Sequence, residues 1–194
     1  MVSVRPHPAT PKKEMHMKRK MSWVVLFSVA ITFTALYHAR KAYATQASGF
    51  KGTTLALGRF SNIDVFNTYI PPNVRKDDDV KNRWISLQKT KGDSDLYIQS
   101  NVWDPGGTTG WHTHLGHSLI IVTAGTITAY EGDDPTCTPT VYTQGMGFVD
   151  PGHGHVHILR NEGTVAASTI AVQLIPAGTT RRIEIPTAPG NCPF

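Results

Sequence analysis

From residue 53 onward the chain alternates short runs rich in Val, Ile, Thr, Tyr and Leu with clusters of Gly, Pro, Asn and Asp. β-Branched and aromatic side chains suit a pleated, half-buried surface, so the runs predict strands over 53–57, 64–69, 96–103, 118–123, 126–131, 141–143, 147–149, 155–159, 167–174 and 182–185. The dividers are strong turn formers: Asp104-Pro105-Gly106-Gly107, Ala124-Gly125, Gly132-Asp133-Asp134-Pro135, Asp150-Pro151-Gly152 and Asn161-Glu162-Gly163. No stretch shows an amphipathic helical period of useful length. Many short strands with frequent turns predict an all-β sandwich or barrel. Residues 71–95 read as a solvated loop with a helical turn up to Trp84. The Asp77-Asp78-Asp79 triplet in that loop lacks the spaced oxygen ligands of a hard-cation site.

The first 44 residues follow a different pattern. Lys12, Lys13, Lys18, Arg19 and Lys20 precede an uncharged apolar run from Trp23 to Tyr37, which ends near Ala42-Tyr43-Ala44. A basic region, an apolar core and a small-x-small end predict a secretory signal peptide. The alternative is a retained anchor helix, although the run is shorter than a bilayer core requires. The chain is therefore expected to be exported, periplasmic or secreted, or else membrane-anchored facing out of the cytoplasm. This changes the meaning of the charge. The net +5 includes eight Lys and Arg and one Glu in 1–44; the remainder has eleven Lys and Arg against thirteen Asp and Glu, a net of −2. No basic stripe is left to neutralise phosphates, so a nucleic-acid partner is not expected. A membrane partner is expected only through an uncleaved N-terminal segment.

Two cysteines in an exported chain read as one disulfide, Cys137–Cys192, with two free thiols as the alternative. The bridge would stabilise the fold by on the order of 4 kcal/mol in the chain-entropy model, and it would tether the C-terminal tail to the loop around Cys137.

All six histidines after residue 44 fall in two short windows, His112, His114 and His117, then His153, His155 and His157. Imidazole is a common ligand of transition metals, and clustering suggests a site. His112 and His114 are two apart, so on an extended chain both face the same side. A second window far along the chain meets the first only if the sheet curls on itself, as in a barrel. His153, in a Pro-Gly-His-Gly turn, reads as a surface residue. Trp103 and Trp111 flank the approach to His112 and read as packing residues, with a wall for a flat ligand as the alternative.

These windows resemble the two motifs of the cupin superfamily. The first motif, G-x5-H-x-H-x3-4-E-x6-G, is matched by Gly106, His112, His114, Ser118 and Gly125. The second, G-x5-P-x-G-x2-H-x3-N, is matched by Gly145, Pro151, Gly154, His157 and Asn161, with one extra residue between Pro151 and Gly154. The resemblance spans residues 106–161. It implies an all-β, cupin-type double-stranded β-helix, a jelly-roll barrel following the N-terminal signal or anchor helix. The implied organisation is 1–44 signal or anchor, 45–95 an extension whose strands pack on the barrel, 96–180 the cupin barrel and 181–194 a tail tethered by the disulfide. It also implies His112, His114 and His157 as metal ligands, with His117 and His155 as further candidates. A homodimer in which the segment 49–69 crosses to a partner barrel rests on the resemblance alone.

The motif glutamate is replaced by Ser118. Three neutral imidazoles without a carboxylate leave a divalent ion its full charge, so the site should prefer an anionic ligand in its open positions. Fe(II) is the first expectation, with Zn, Ni, Cu or Mn as alternatives. Ser118 is not read as a nucleophile, because His117 is adjacent on the strand and faces away, and the chain has no G-x-S-x-G elbow. Three functions fit: a metal-dependent, dioxygenase-like oxidoreductase acting on a small organic substrate, a non-catalytic module that binds a small ligand or sequesters metal, and a metal-dependent isomerase or lyase. The reacting residues are not identifiable from sequence, and fold alone does not choose between these functions.

Overall fold

The computed structural model describes residues 46–72 and 83–194. The expected signal or anchor segment and the Asp77-Asp78-Asp79 triplet lie outside them. Among the described residues there is no helix, and none long and apolar enough to cross a membrane. The strands are β1 (Ser48–Phe60), β2 (Asp64–Tyr69), β3 (Trp84–Lys89), β4 (Ser94–Thr108), β5 (His112–Thr113), β6 (Ser118–Ala124), β7 (Thr126–Glu131), β8 (Thr140–Thr143), β9 (Gly147–Asp150), β10 (His157–Arg160), β11 (Ala167–Pro176) and β12 (Ile183–Glu184).

Every strand pairing among the described residues is antiparallel. One side of the barrel runs β1-β4-β11-β6-β9 and the other β12-β5-β10-β7-β8, and the two meet where Arg160 of β10 pairs with Thr108 of β4. The result is a nearly closed jelly-roll barrel. Strand alternation sorts the side chains: on β6, Ser118, Ile120 and Val122 are buried while Leu119 and Ile121 face out. At one end the interior is apolar, with Trp103, Val122, Ile127, Ala129, Leu159 and Ala167 from both sides in one cluster. Toward the other end the inward residues become polar. Asn101 and Thr169 are cross-strand partners there, as are Gln173 and Ser118. A barrel whose packing ends part-way along its axis leaves a polar mouth, and the histidines open into it.

Two sequence expectations are corrected. Residues 84–89 form no helical turn or loop. They form β3, which pairs with β2 along six positions and is closed by a Lys89–Asp64 ion pair at 2.8 Å. Trp84-Ile85-Ser86-Leu87 has strand propensity that the neighbouring Pro and Asp residues obscured. Nor does Asp104-Pro105-Gly106-Gly107 end a strand; β4 continues through it to Thr108. The glycines absorb the irregularity. A Cβ on Gly107 would lie 2.4 Å from the Gly49 carbonyl oxygen, so only glycine lets β1 pass this close. The segment 49–69 supplies β1, paired to β4, and β2.

The Cys137–Cys192 disulfide is formed. It holds the tail over a second buried cluster containing Trp111, Tyr130 and Ile158, against which Phe194 packs. Trp111 and Trp103 are both fully buried, Trp111 in this cluster and Trp103 in the first.

Candidate metal centre

His112 opens β5, His114 follows one residue beyond it, and His157 opens β10. β5 and β10 are antiparallel partners with His157 directly opposite His112, which brings the two motif windows together. One nitrogen from each of His112, His114 and His157 lies within 4.8 Å of the others, and all three residues are buried.

The second ring nitrogen of each histidine decides what the first can do. His112 Nδ1 meets the Gly110 carbonyl at 2.9 Å, His114 Nδ1 the Arg181 carbonyl at 2.7 Å, and His157 Nδ1 the His155 carbonyl in a longer contact of 3.4 Å. A carbonyl only accepts, so each Nδ1 carries the proton and each Nε2 keeps a free lone pair. Backbone contacts of this kind fix the tautomer and ring orientation of metal-ligating histidines. Burial also keeps the rings neutral. It lowers His114 and His157 to about 4 and His112 well below its ordinary value. Three buried, neutral, pre-oriented imidazoles aimed at one point suit a divalent transition ion.

The other sequence candidates lie elsewhere. His155 is partly exposed beside His157, with Nε2 3.4 Å from Glu131 Oε2, and its donor atoms gather with those of Asp150 and His157 rather than with the main triad. His117 lines a separate groove with Leu87 and Ile175 and belongs to neither cluster. The strand turns at Gly116, which leaves no room for a Cβ against the Leu174 carbonyl. His153 is exposed at φ 54°, as its turn suggested. Asn161 ties the second motif to β4 by donating to the Trp103 and Asp104 carbonyls.

The expectation that no carboxylate faces the histidines is not met. Asp150, at the end of β9, is 4% exposed and places Oδ2 3.4 Å from His114 Nε2. It lies directly across from Ser118, a relationship that appears only once strand register is known. Burial raises the Asp150 carboxyl above its ordinary range, against smaller opposing effects from His114 and the Gly152 N–H. Sequence reading also missed Arg181 and Arg182, which line the histidine cavity from the stretch before β12. Arg181 is held there by donating to Gln99 and Gln173. Their one visible signal was that they stand side by side in an otherwise sparsely charged C-terminal segment. The cavity offers about 40 Å3, against roughly 10–15 Å3 needed for one water, so any ligand beside an ion is small.

An antiparallel jelly roll with both histidine windows at one mouth defines the architecture. The fold is that of a cupin. Solved structures similar to the chain include a cupin superfamily protein from Desulfitobacterium hafniense, 16% identical, with a TM-score of 0.36 over 41% of this chain and 67% of that one. Another is a predicted oxalate decarboxylase from Thermotoga maritima, 17% identical, with a TM-score of 0.35 over 44% of this chain and 83% of that one. A third is an oxalate oxidase in complex with glycolate, 21% identical, with a TM-score of 0.36 over 42% of this chain and 45% of that one. The chain therefore spans about two-thirds of the first of these chains and less than half of the oxalate oxidase. A scan of protein-family models finds no match, nor does a search of curated proteins.

Proposed function

We propose that this cupin is an exported metalloprotein that holds one divalent transition ion on His112, His114 and His157 and acts on a small organic anion there as a metal-dependent oxidoreductase of the dioxygenase kind. The observation that carries the reading is the pre-set triad: each Nδ1 tied to a backbone carbonyl, and one nitrogen of each of the three buried rings within 4.8 Å of the others. The ion, Fe(II) by first preference, would supply Lewis acidity and redox chemistry. The chain's own part is to orient the ligands, limit water and hold the substrate. Arg181 and Arg182 place positive charge in the same cavity, which suits a carboxylate-bearing ligand. The small cavity favours a molecule of few heavy atoms. Export is supported by the basic-apolar leader and by the disulfide, a bond that persists in oxidising compartments.

Elemental analysis of natively purified protein, followed by oxygen uptake over a panel of small hydroxy, keto and dicarboxylic acids, tests this reading. About one equivalent of metal and acid-dependent uptake are expected. Protein that binds no transition metal would remove it.

Binding without turnover is the second reading. It is favoured by the adjoining Asp150, His155 and His157 group, whose donor atoms also lie within 4.8 Å of one another. Calorimetric titration separates the two. Several metal equivalents bound, with no uptake under any acid, would indicate sequestration.

A further inference from the structure

Arg181 and Arg182 are adjacent in the chain but differ in their partners. Arg182 is ion-paired with Glu184 and donates to the Thr109 carbonyl. Arg181 has no carboxylate partner among the described residues. Its Nη1 donates instead to two neutral amide oxygens, Gln99 Oε1 at 2.5 Å and Gln173 Oε1 at 3.4 Å. These contacts hold a half-buried positive charge at the cavity without neutralising it. A cation drawn partly out of water and left unpaired is costly.

Gln173 has a matching need. It is 2% exposed, on the inward face of β11 opposite Ser118. A guanidinium only donates, so the Gln173 amide turns its oxygen to Arg181, and this sets which end of the amide faces away. The Nε2 group is left buried with no acceptor among the described residues. A water or any other neutral acceptor would satisfy Gln173 alone. An anion satisfies Gln173 and Arg181 together.

The strand pairing sets these groups on the side of the barrel that faces the histidines. Gln99 is on β4 and Gln173 on its partner β11, whereas His112 and His157 are on β5 and β10, and all four line one cavity. A molecule in that cavity meets imidazole nitrogens on one side, and an amide donor and a guanidinium on the other. Two donors, one of them charged, match the two oxygens of a carboxylate.

We infer that Gln173 and Arg181 form a carboxylate-binding subsite opposite the histidine triad, with Gln173 Nε2 and the Arg181 guanidinium as its donors. The inference rests on the metal-binding reading for the far end of the ligand and narrows the substrate class. The substrate is a short acid that anchors its carboxylate on the β4–β11 side and turns a second oxygen, from a hydroxyl, a carbonyl or another carboxylate, toward His112, His114 and His157. The cavity of about 40 Å3 keeps such an acid short.

The test titrates Zn(II)-loaded wild-type protein, Q173L and Q173E with acetate, glyoxylate and oxalate, and with acetamide and inorganic phosphate as controls. In protein carrying 15N-glutamine, the Gln173 side-chain amide is assigned by its loss in Q173L and followed by NMR. Zn(II) content and melting temperature are measured for each protein. The acids should shift the Gln173 amide signal of the wild type, and acetamide should not. Q173L should weaken acid binding by roughly 10- to 100-fold, the range of a hydrogen bond to a charged group. Q173E supplies its own carboxylate to Arg181 and should abolish acid binding, with Zn(II) content unchanged in both variants. If a variant fails to fold, the wild-type amide signal decides. Acid binding equal to wild type in Q173L or Q173E, an amide signal that no acid moves, or acetamide or phosphate bound as tightly as acetate overturns the subsite alone. Wild-type protein that takes up no Zn(II) overturns the metal reading, and the same titration of metal-free protein then still decides the subsite.

Discussion

His112 and His157 are direct cross-strand partners on β5 and β10, with ring centroids 4.3 Å apart, although all of β6 to β9 lies between them in the chain. The site is therefore a product of barrel closure. A ligand of both should stabilise the barrel, because an ion bound only by the folded state adds stability by mass action. At a free metal concentration 100 times Kd the gain is about 2.7 kcal/mol. Thermal melts should show that gain with Zn(II) in the wild-type protein and none in H157A.

Arg181 provides a separate test, of the ligand rather than the metal. It lines the cavity and donates to Gln99 and Gln173, while its carbonyl holds His114. R181Q leaves that carbonyl in place. It is expected to weaken binding of a small carboxylate by roughly 10- to 100-fold, the range of a lost charge-assisted contact, with metal content unchanged. Carboxylate titration of the metal-loaded protein checks this.

Gly152 supports the Asp150 carboxylate through its N–H, adopts φ 68°, and has the Gly116 carbonyl oxygen only 2.2 Å from where a Cβ would stand. G152A must therefore move backbone as well as enter a strained conformation. A loss of about 2 kcal/mol or more is expected, read by urea denaturation.

Asp95 gives the fold a dependence on pH. It pairs with Arg59 through two bonds of 2.8 and 3.0 Å and accepts from the Gly178 N–H, which links β1, β4 and the turn after β11. The Arg59 hydrogen bond, then the Gly178 N–H, hold the Asp95 carboxyl below its ordinary value. A carboxyl with a folded value below its unfolded one adds stability that is complete above the unfolded value, about 4, and is lost as pH falls through the folded value. D95N should therefore be less stable than wild type at pH 7, with the difference closing below pH 4. Denaturation curves across that range check it.

Reduction of Cys137–Cys192 should cost on the order of 4 kcal/mol in the chain-entropy model. It should also release the tail, and with it the contact of Phe194 with Trp111 and with Arg160, whose guanidinium carbon lies 4.1 Å from the Phe194 ring centre. Near-ultraviolet circular dichroism with and without reductant reports both.

What could be read from the chain alone follows from which relationships are local. His112 and His114 share a face because they are two apart, and motif spacing singled out His157, so the triad was legible before any coordinates. Asp150 was not. It sits in what reads as a turn, Asp150-Pro151-Gly152, and its place beside His114 depends on a one-to-one register with Ser118 that no local pattern encodes. Arg181 and Arg182 were hidden for the same reason, since a tail that folds back leaves no periodic trace. β3 was obscured by the Pro- and Asp-rich residues before it, and the continuation of β4 through Asp104–Gly107 depends on the neighbouring β1 rather than on those residues' own turn preference.

The most direct measurement of the central claim is the metal content of natively purified wild-type protein set beside H112A. The account predicts about one equivalent of a divalent transition metal in the first and almost none in the second, with both folded by circular dichroism. Equal metal content in the two, or none in the wild-type protein even after incubation with Fe(II), Mn(II) or Zn(II), would contradict it.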